Sequence, residues 1–122
     1  MSFRMILGEL IEGIPEAQGA ILVDWEGESV DLAGRMDDFD LKVLGAHKGV
    51  ILTNLRELIA KGRFAGADEL HEILITTAQN ETLVLPITLD YFLVLTLSRG
   101  EALGRARFAA KRCVERLRDE IA

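Results

Sequence analysis

LVLPITLDYFLVLTL, residues 83–97, is the most apolar stretch of the chain, and its reading decides between a membrane span and a sheet. Fifteen residues fall short of the about 20 that a spanning helix requires, and Asp90 in the middle is costly in lipid. Pro86 breaks a helix, while Val84, Thr88, Tyr91, Val94 and Thr96 favour extended backbone. The stretch therefore predicts two antiparallel strands, Thr82 to Ile87 and Tyr91 to Leu97, joined by a turn at Thr88-Leu89-Asp90. Leu93, Val94 and Leu95 do not alternate with polar residues, so both faces of the second strand must be covered. Helices are expected on both sides of the sheet.

The flanking sequence supplies them. After the pair, Gly100 to Ile121 carries Leu103, Ala106, Ala110, Cys113, Val114, Leu117 and Ile121 at helical spacing. Before it, ELHEILITTAQ (69–79) reads as a strand, preceded by the loop GRFAGAD (62–68). Asp37 and Asp38 can cap a long helix that runs to about Lys61 and is closed by Gly62. Leu41, Val43, Leu44, Val50, Ile51, Leu52, Leu55, Leu58 and Ile59 span an arc of roughly 200° on that helix, wider than a surface helix needs. The remaining arc holds Lys42, Gly45, Ala46, Gly49, Thr53, Arg56, Glu57 and Ala60. Two glycines inside a helix each cost about 1 kcal/mol against alanine, so they need a packing reason. Either they fit against the domain's own sheet or they let a partner approach. GAILVDWEGESVDLAG (19–34) predicts a hairpin turning at Glu26-Gly27, and Phe3 to Ile14 a short amphipathic helix stopped by Gly13 and Pro15.

A single domain over residues 1–122 is expected, with a composition, 49% hydrophobic and 28% charged, that supports a packed core. The net charge of −6 argues against nonspecific nucleic-acid binding. It is unevenly spread: residues 99–122 carry seven Arg or Lys and four Asp or Glu, a balance of +3 against −9 for the rest. One cysteine rules out an internal disulfide and fits a reducing, cytoplasmic setting; the N-terminus lacks the unbroken apolar region of a signal peptide.

Catalytic chemistry is poorly represented. His47, His71 and Cys113 have no metal-ligand spacing, no phosphate-binding loop motif is present, and Cys113 sits on an apolar stripe. Asp24, Glu26, Glu28 and Asp31 offer a carboxylate cluster, but neighbouring strand side chains point to opposite faces, which favours a solvated hairpin tip. No catalytic residue, cofactor or metal is assigned, and a binding module is expected.

The hairpin GAILVDWEGESV, the helix ending LRELIAKG, the strand HEILITTA and the pair LVLPITLDYFLVLTL before a last amphipathic helix resemble the roadblock/LC7 family over nearly the whole chain. That family includes dynein light chains and regulators of Ras-like GTPases; profilin-like and longin-like folds share parts of the layout. The resemblance implies an α+β fold of order αββαβββα, a five-stranded antiparallel sheet with the long helix on one face and the terminal helices on the other. It also implies a homodimer, or a heterodimer with a paralogue, in which the long helix and third strand meet their counterparts; Leu41, His47, Leu52, His71, Ile73 and Ile75 are the expected interface residues. By the same resemblance the dimer docks a Ras-like small GTPase and promotes hydrolysis through the GTPase's own residues. Lys42, Ala46, Gly49, Thr53, Arg56 and Glu57 on the small-residue stripe are the expected footprint. A structural adaptor of the dynein-light-chain kind, indifferent to nucleotide, is the alternative.

Overall fold

The elements follow in the order α1 (Phe3–Glu12), β1 (Ala17–Asp24), β2 (Ser29–Gly34), α2 (Asp38–Lys61), β3 (Ile73–Thr76), β4 (Asn80–Pro86), β5 (Tyr91–Ser98) and α3 (Leu103–Ile121) in a computed structural model that describes residues 2–61 and 69–121. The strands form one five-stranded antiparallel sheet of order β2-β1-β5-β4-β3, the expected α+β architecture. Gly62 and the loop GRFAGAD lie outside the described residues.

The stretch at 83–97 folds as the pair β4 and β5, with Val84 opposite Val94 and Pro86 opposite Phe92. Its turn closes where Ile87 N–H donates to Tyr91 O at 2.9 Å. β5 lies in the middle of the sheet, and every residue from Phe92 to Leu97 is buried. Leu93, Leu95 and Leu97 join Ala20, Leu22, Leu83 and Leu85 in a core under α1 and α3, while Phe92 and Val94 join Ile21, Val23 and Val84 in a second core under α2. The unbroken apolar run thus divides between two layers. Thr82 and Thr96, buried on the α2 side, satisfy each other through a hydroxyl pair at 3.0 Å.

Local chemistry sets the boundaries. Asp37 Oδ2 accepts from the amides of Phe39 (3.0 Å) and Asp40 (3.3 Å), capping α2 as expected. Gly27, at φ +89°, turns the β1-β2 hairpin, and Asp24 Oδ1 accepts from Glu26 and Glu28 N–H at 2.9 and 3.0 Å. The third strand is shorter than the eleven residues its composition suggested. Only Ile73–Thr76 pair with β4: the strand starts after Glu72, and a turn closed by Thr77 N–H donating to Asn80 O at 2.8 Å ends it. α1 ends at Glu12 rather than Ile14, and α3 begins at Leu103 rather than Gly100. Ala106, Ala110, Cys113, Val114 and Leu117 form the buried stripe of α3.

Arg35, past the end of β2, closes the opposite corner. Its guanidinium donates to the carbonyls of Ala17 (2.6 Å), Ile14 (3.2 Å), Pro15 (3.3 Å) and Ile11 (3.3 Å), tying the end of β2 to the turn after α1, where Ile11 O and Ile14 O also accept from Ile14 and Ala17 N–H. Hydrogen bonds from a charged donor contribute about 1.5–3 kcal/mol, so Arg35→Met, which keeps the apolar stem, should lower stability by about that amount. A urea midpoint that falls with an unchanged slope is the expected reading.

Candidate functional site

α2 carries the residues singled out from the sequence, and the way it sits on the sheet sorts them. Its buried residues are Leu41, Gly45, Gly49 and Leu52. A Cβ on Gly45 would lie 2.9 Å from Val23 Cγ2, and one on Gly49 3.1 Å from Phe92 Cζ. The glycines therefore face the domain's own sheet and let the helix settle onto β1 and β5. Gly49, expected in a partner footprint, is buried against Phe92, although it also lines the depression between α2 and the hairpin tip. Leu41 and Leu52, expected in a dimer interface, are 0% exposed and belong to the α2 core. His47 and His71 are exposed, and Ile73 and Ile75 are half-buried on the edge strand β3.

The wide apolar arc is divided by this seating. Val43 and Val50, seven residues apart, and Ile51 and Leu58, also seven apart, form two rows on the side away from the sheet, about His47 and Asn54. Val50 is 62% and Leu58 66% exposed. Phe39, at the start of the helix, extends the apolar surface. Periodicity grouped these side chains with Leu41 and Leu52; the glycines, by choosing which flank rests on the sheet, separated them.

Beside the first row, Ala46, Gly49, Val50, Thr53 and Asn54 form one wall of a depression of about 190 Å³, and Trp25, Glu26 and Gly27 of the hairpin tip form the other. Arg56 stacks on Trp25 beside the depression. Its guanidinium carbon stands 3.8 Å from the Trp25 ring centroid, and Nη1 donates to Leu89 O at 3.4 Å. Trp25 packs on Phe92 with ring centroids 5.4 Å apart, and its backbone N–H donates to Asp90 O at 3.2 Å. The structure thus brings Ala46, Thr53 and Arg56 together around Trp25. Lys42 and Glu57 stand exposed on the same helix and are not among the residues lining the depression. Trp25 was not singled out from the sequence, although a lone tryptophan next to a polar turn marks a ring with an apolar body and a polar end.

Nothing here assembles acid–base or metal chemistry. Asp24 is engaged by turn amides and Asp31 lies 3.5 Å from Arg4, so the hairpin carboxylates do not converge. Among the described residues no group of three or more His, Cys, Asp or Glu is placed to hold a metal, and no helix is long and apolar enough to cross a membrane. Burial pushes the Cys113 thiol up to about 11, the Arg116 charge offsetting only part of the effect. A neutral, buried thiol is a poor nucleophile.

Two outcomes follow for these residues. Gly49→Arg forces a long side chain against Phe92, and overpacking of this kind costs about 1–3 kcal/mol; the expected result is a lower thermal midpoint with perturbed Trp25 emission. For Cys113, the thiol ionises in the unfolded chain from its ordinary 9.0 upward but in the folded chain only near 11. Its contribution is therefore intact below pH 9 and lost as pH rises through about 11. Cys113→Ala should flatten that part of the alkaline stability profile relative to the parent, as read from paired urea titrations.

No protein-family model matches the sequence, and no curated protein matches it significantly. Solved structures do match in fold. A roadblock/LC7 domain from Streptomyces avermitilis superposes with a TM-score of 0.86 at 14% identity, covering 97% of this chain and 96% of that one. MglB from Myxococcus xanthus gives 0.80 at 19% identity, with 98% and 94% covered. Profilin IA from Acanthamoeba castellanii gives 0.64 at 12% identity, with 99% and 100% covered. The chain has the roadblock/LC7 fold that the resemblance implied, with profilin a more distant variant of the same layout.

Proposed function

We propose that this protein is a dimeric, non-catalytic binding module that regulates or scaffolds a Ras-like small GTPase in the cytoplasm. The observation that carries the reading is the pair of apolar rows on the outer side of α2, with Val50 and Leu58 each more than half exposed. Helix faces of this kind are stable in water when a second helix covers them. A second copy meets α2 through Val43, His47, Val50, Ile51 and Leu58. It meets β3, an edge strand with unpaired backbone groups, through Ile73, Ile75 and the neighbouring His71. α2 leaves room for this on the β3 side, where Leu44, Lys48, Ile75, Thr82 and Thr96 line a cavity of about 330 Å³.

The GTPase docks at the depression between the hairpin tip and α2. Ala46 and Thr53 allow a close approach, Arg56 and Trp25 supply a flat cation–aromatic surface, and Lys42 and Glu57 frame it with opposite charges. Arg56 is already engaged by Trp25 and Leu89, which favours stimulation of hydrolysis through repositioned GTPase residues over donation of an arginine. The fold shared with MglB and the roadblock/LC7 domain supports this assignment.

Val50→Asp combined with Leu58→Asp alters exposed positions only, so the variant should stay folded and sediment as a monomer where the parent sediments as a dimer. A parent that is monomeric at micromolar concentration would remove the dimer from the reading. Arg56→Ala, on the intact dimer, should weaken binding of a cognate GTPase loaded with a GTP analogue by about tenfold, or about 1.4 kcal/mol. Equal affinity for the GDP and GTP-analogue forms would instead assign the protein as a nucleotide-blind adaptor.

A further inference from the structure

The opposite face of the sheet carries a second surface that the GTPase reading does not use. α1 and α3 lie side by side there, tied by Arg116 to Glu9 at 2.6 Å, while Arg105 ties α3 to Glu16 in the turn after α1 at 2.9 Å. Between them a groove of about 300 Å³ is lined by Ile6, Leu10, Cys113 and Ala109 at its base, with Phe108, Glu9, Arg112 and Arg116 around it. Ile6, Leu10 and Cys113 are buried core residues, whereas Phe108 is 65% exposed. An isolated exposed aromatic needs no explanation, but this one stands over a concave apolar floor, the setting in which a partner's side chain is desolvated on binding.

The charge around the groove is ordered. Arg105, Phe108, Arg112 and Arg116 recur on one stripe of α3, and the guanidinium carbon of Arg112 lies 5.9 Å from the Phe108 ring centroid. Arg105 and Arg116 have carboxylate partners; Arg112 has none among the described residues. An apolar floor flanked by an unmatched cation calls for an occupant with an apolar stripe bordered by carboxylates. A groove between two helices that run side by side accepts a third helix most readily, its anchors spaced at i, i+3, i+4 and i+7.

We propose that the α1–α3 groove binds an acidic amphipathic helix of a protein partner, with an apolar anchor set beside Phe108 and a Glu or Asp on Arg112. A membrane surface fits less well. Ile6, Leu10 and Cys113 of the groove are buried, and of its apolar lining Phe108 alone stands exposed, too little to insert in a bilayer. The groove lies on the face away from α2, so the helical ligand and the GTPase bind without competing, and each surface can fail its test independently of the other.

The probe is a fluorescent peptide of about four helical turns with leucines at i, i+3, i+4 and i+7 and glutamates elsewhere, titrated by anisotropy into the full-length protein. Its counterpart has lysine at every glutamate. Micromolar binding of the acidic peptide is expected, with the lysine peptide weaker by about tenfold or more. Phe108→Ala and Arg112→Glu, both at exposed positions, should each weaken the acidic peptide by a similar factor while leaving circular dichroism and sedimentation unchanged. The proposal is overturned if the acidic peptide does not bind, if both peptides bind alike, or if neither substitution matters. Phe108-dependent sedimentation with phosphatidylserine vesicles, without binding of the acidic peptide, overturns it in favour of a lipid surface.

Discussion

β5 has no polar face, and the architecture is arranged around that constraint. Antiparallel sheets commonly leave one side to water, and their strands then alternate. Here Phe92 and Val94 face one way and Leu93, Leu95 and Leu97 the other, all of them buried. At about 25 cal/mol per Å² of apolar surface, leaving either side uncovered would forfeit the burial of several large side chains. Both sides are therefore roofed by helices, and each helix keeps an apolar inner face for the purpose. The buried hydroxyls of Thr82 and Thr96 on β4 and β5 are admitted as a closed pair.

The roof on the α2 side depends on two missing side chains. Gly45 and Gly49 each cost about 1 kcal/mol of helix propensity. Their positions against Val23 and Phe92 show what offsets it, namely close contact between the helix backbone and the two central strands. The same contact sets the rotation of α2 about its own axis. Leu41 and Leu52 are turned in, while Val43, Val50, Ile51 and Leu58 are turned out, so core packing and the exposed apolar surface are consequences of one choice.

The order of elements, the antiparallel pair at 83–97 and the double coverage of β5 were legible because each rests on local chemistry: a proline, a turn with an aspartate, a run without alternation. The rotation of α2 was not. Helical periodicity yields two arcs and leaves open whether the glycines face the domain's own sheet or a partner; which flank lies on the sheet depends on side chains from β1 and β5, remote in sequence. Gly49 thereby moved from an outward stripe to the inner face, and Leu41 and Leu52 from an interface to the core. Arg35 was invisible for a related reason. Its partners are carbonyls at the end of α1 and the turn after it, about twenty residues away, and no residue pattern records which carbonyls converge on one side chain. The Trp25–Arg56 stack likewise joins a hairpin tip to a helix.

The two faces of the sheet are unequally covered, and geometry makes the difference unavoidable. Five strands at about 4.8 Å spacing present a surface about 19 Å wide between the outer strand axes, whereas one helix with its side chains is about 10 Å across. α1 and α3 together match that width on one face, α1 over β1 and β2 and α3 over β4. α2 is alone on the other, packed mainly on β1 and β2, and Ile73 and Ile75 stay half-buried at its far margin. A single helix leaves about half of such a face to be covered by something else. The outward rows of α2 and the open edge at β3 border that uncovered half, which is why the proposed second copy is placed there. Between the paired helices of the other face lies the groove with Phe108 on its rim, a surface suited to one added helix.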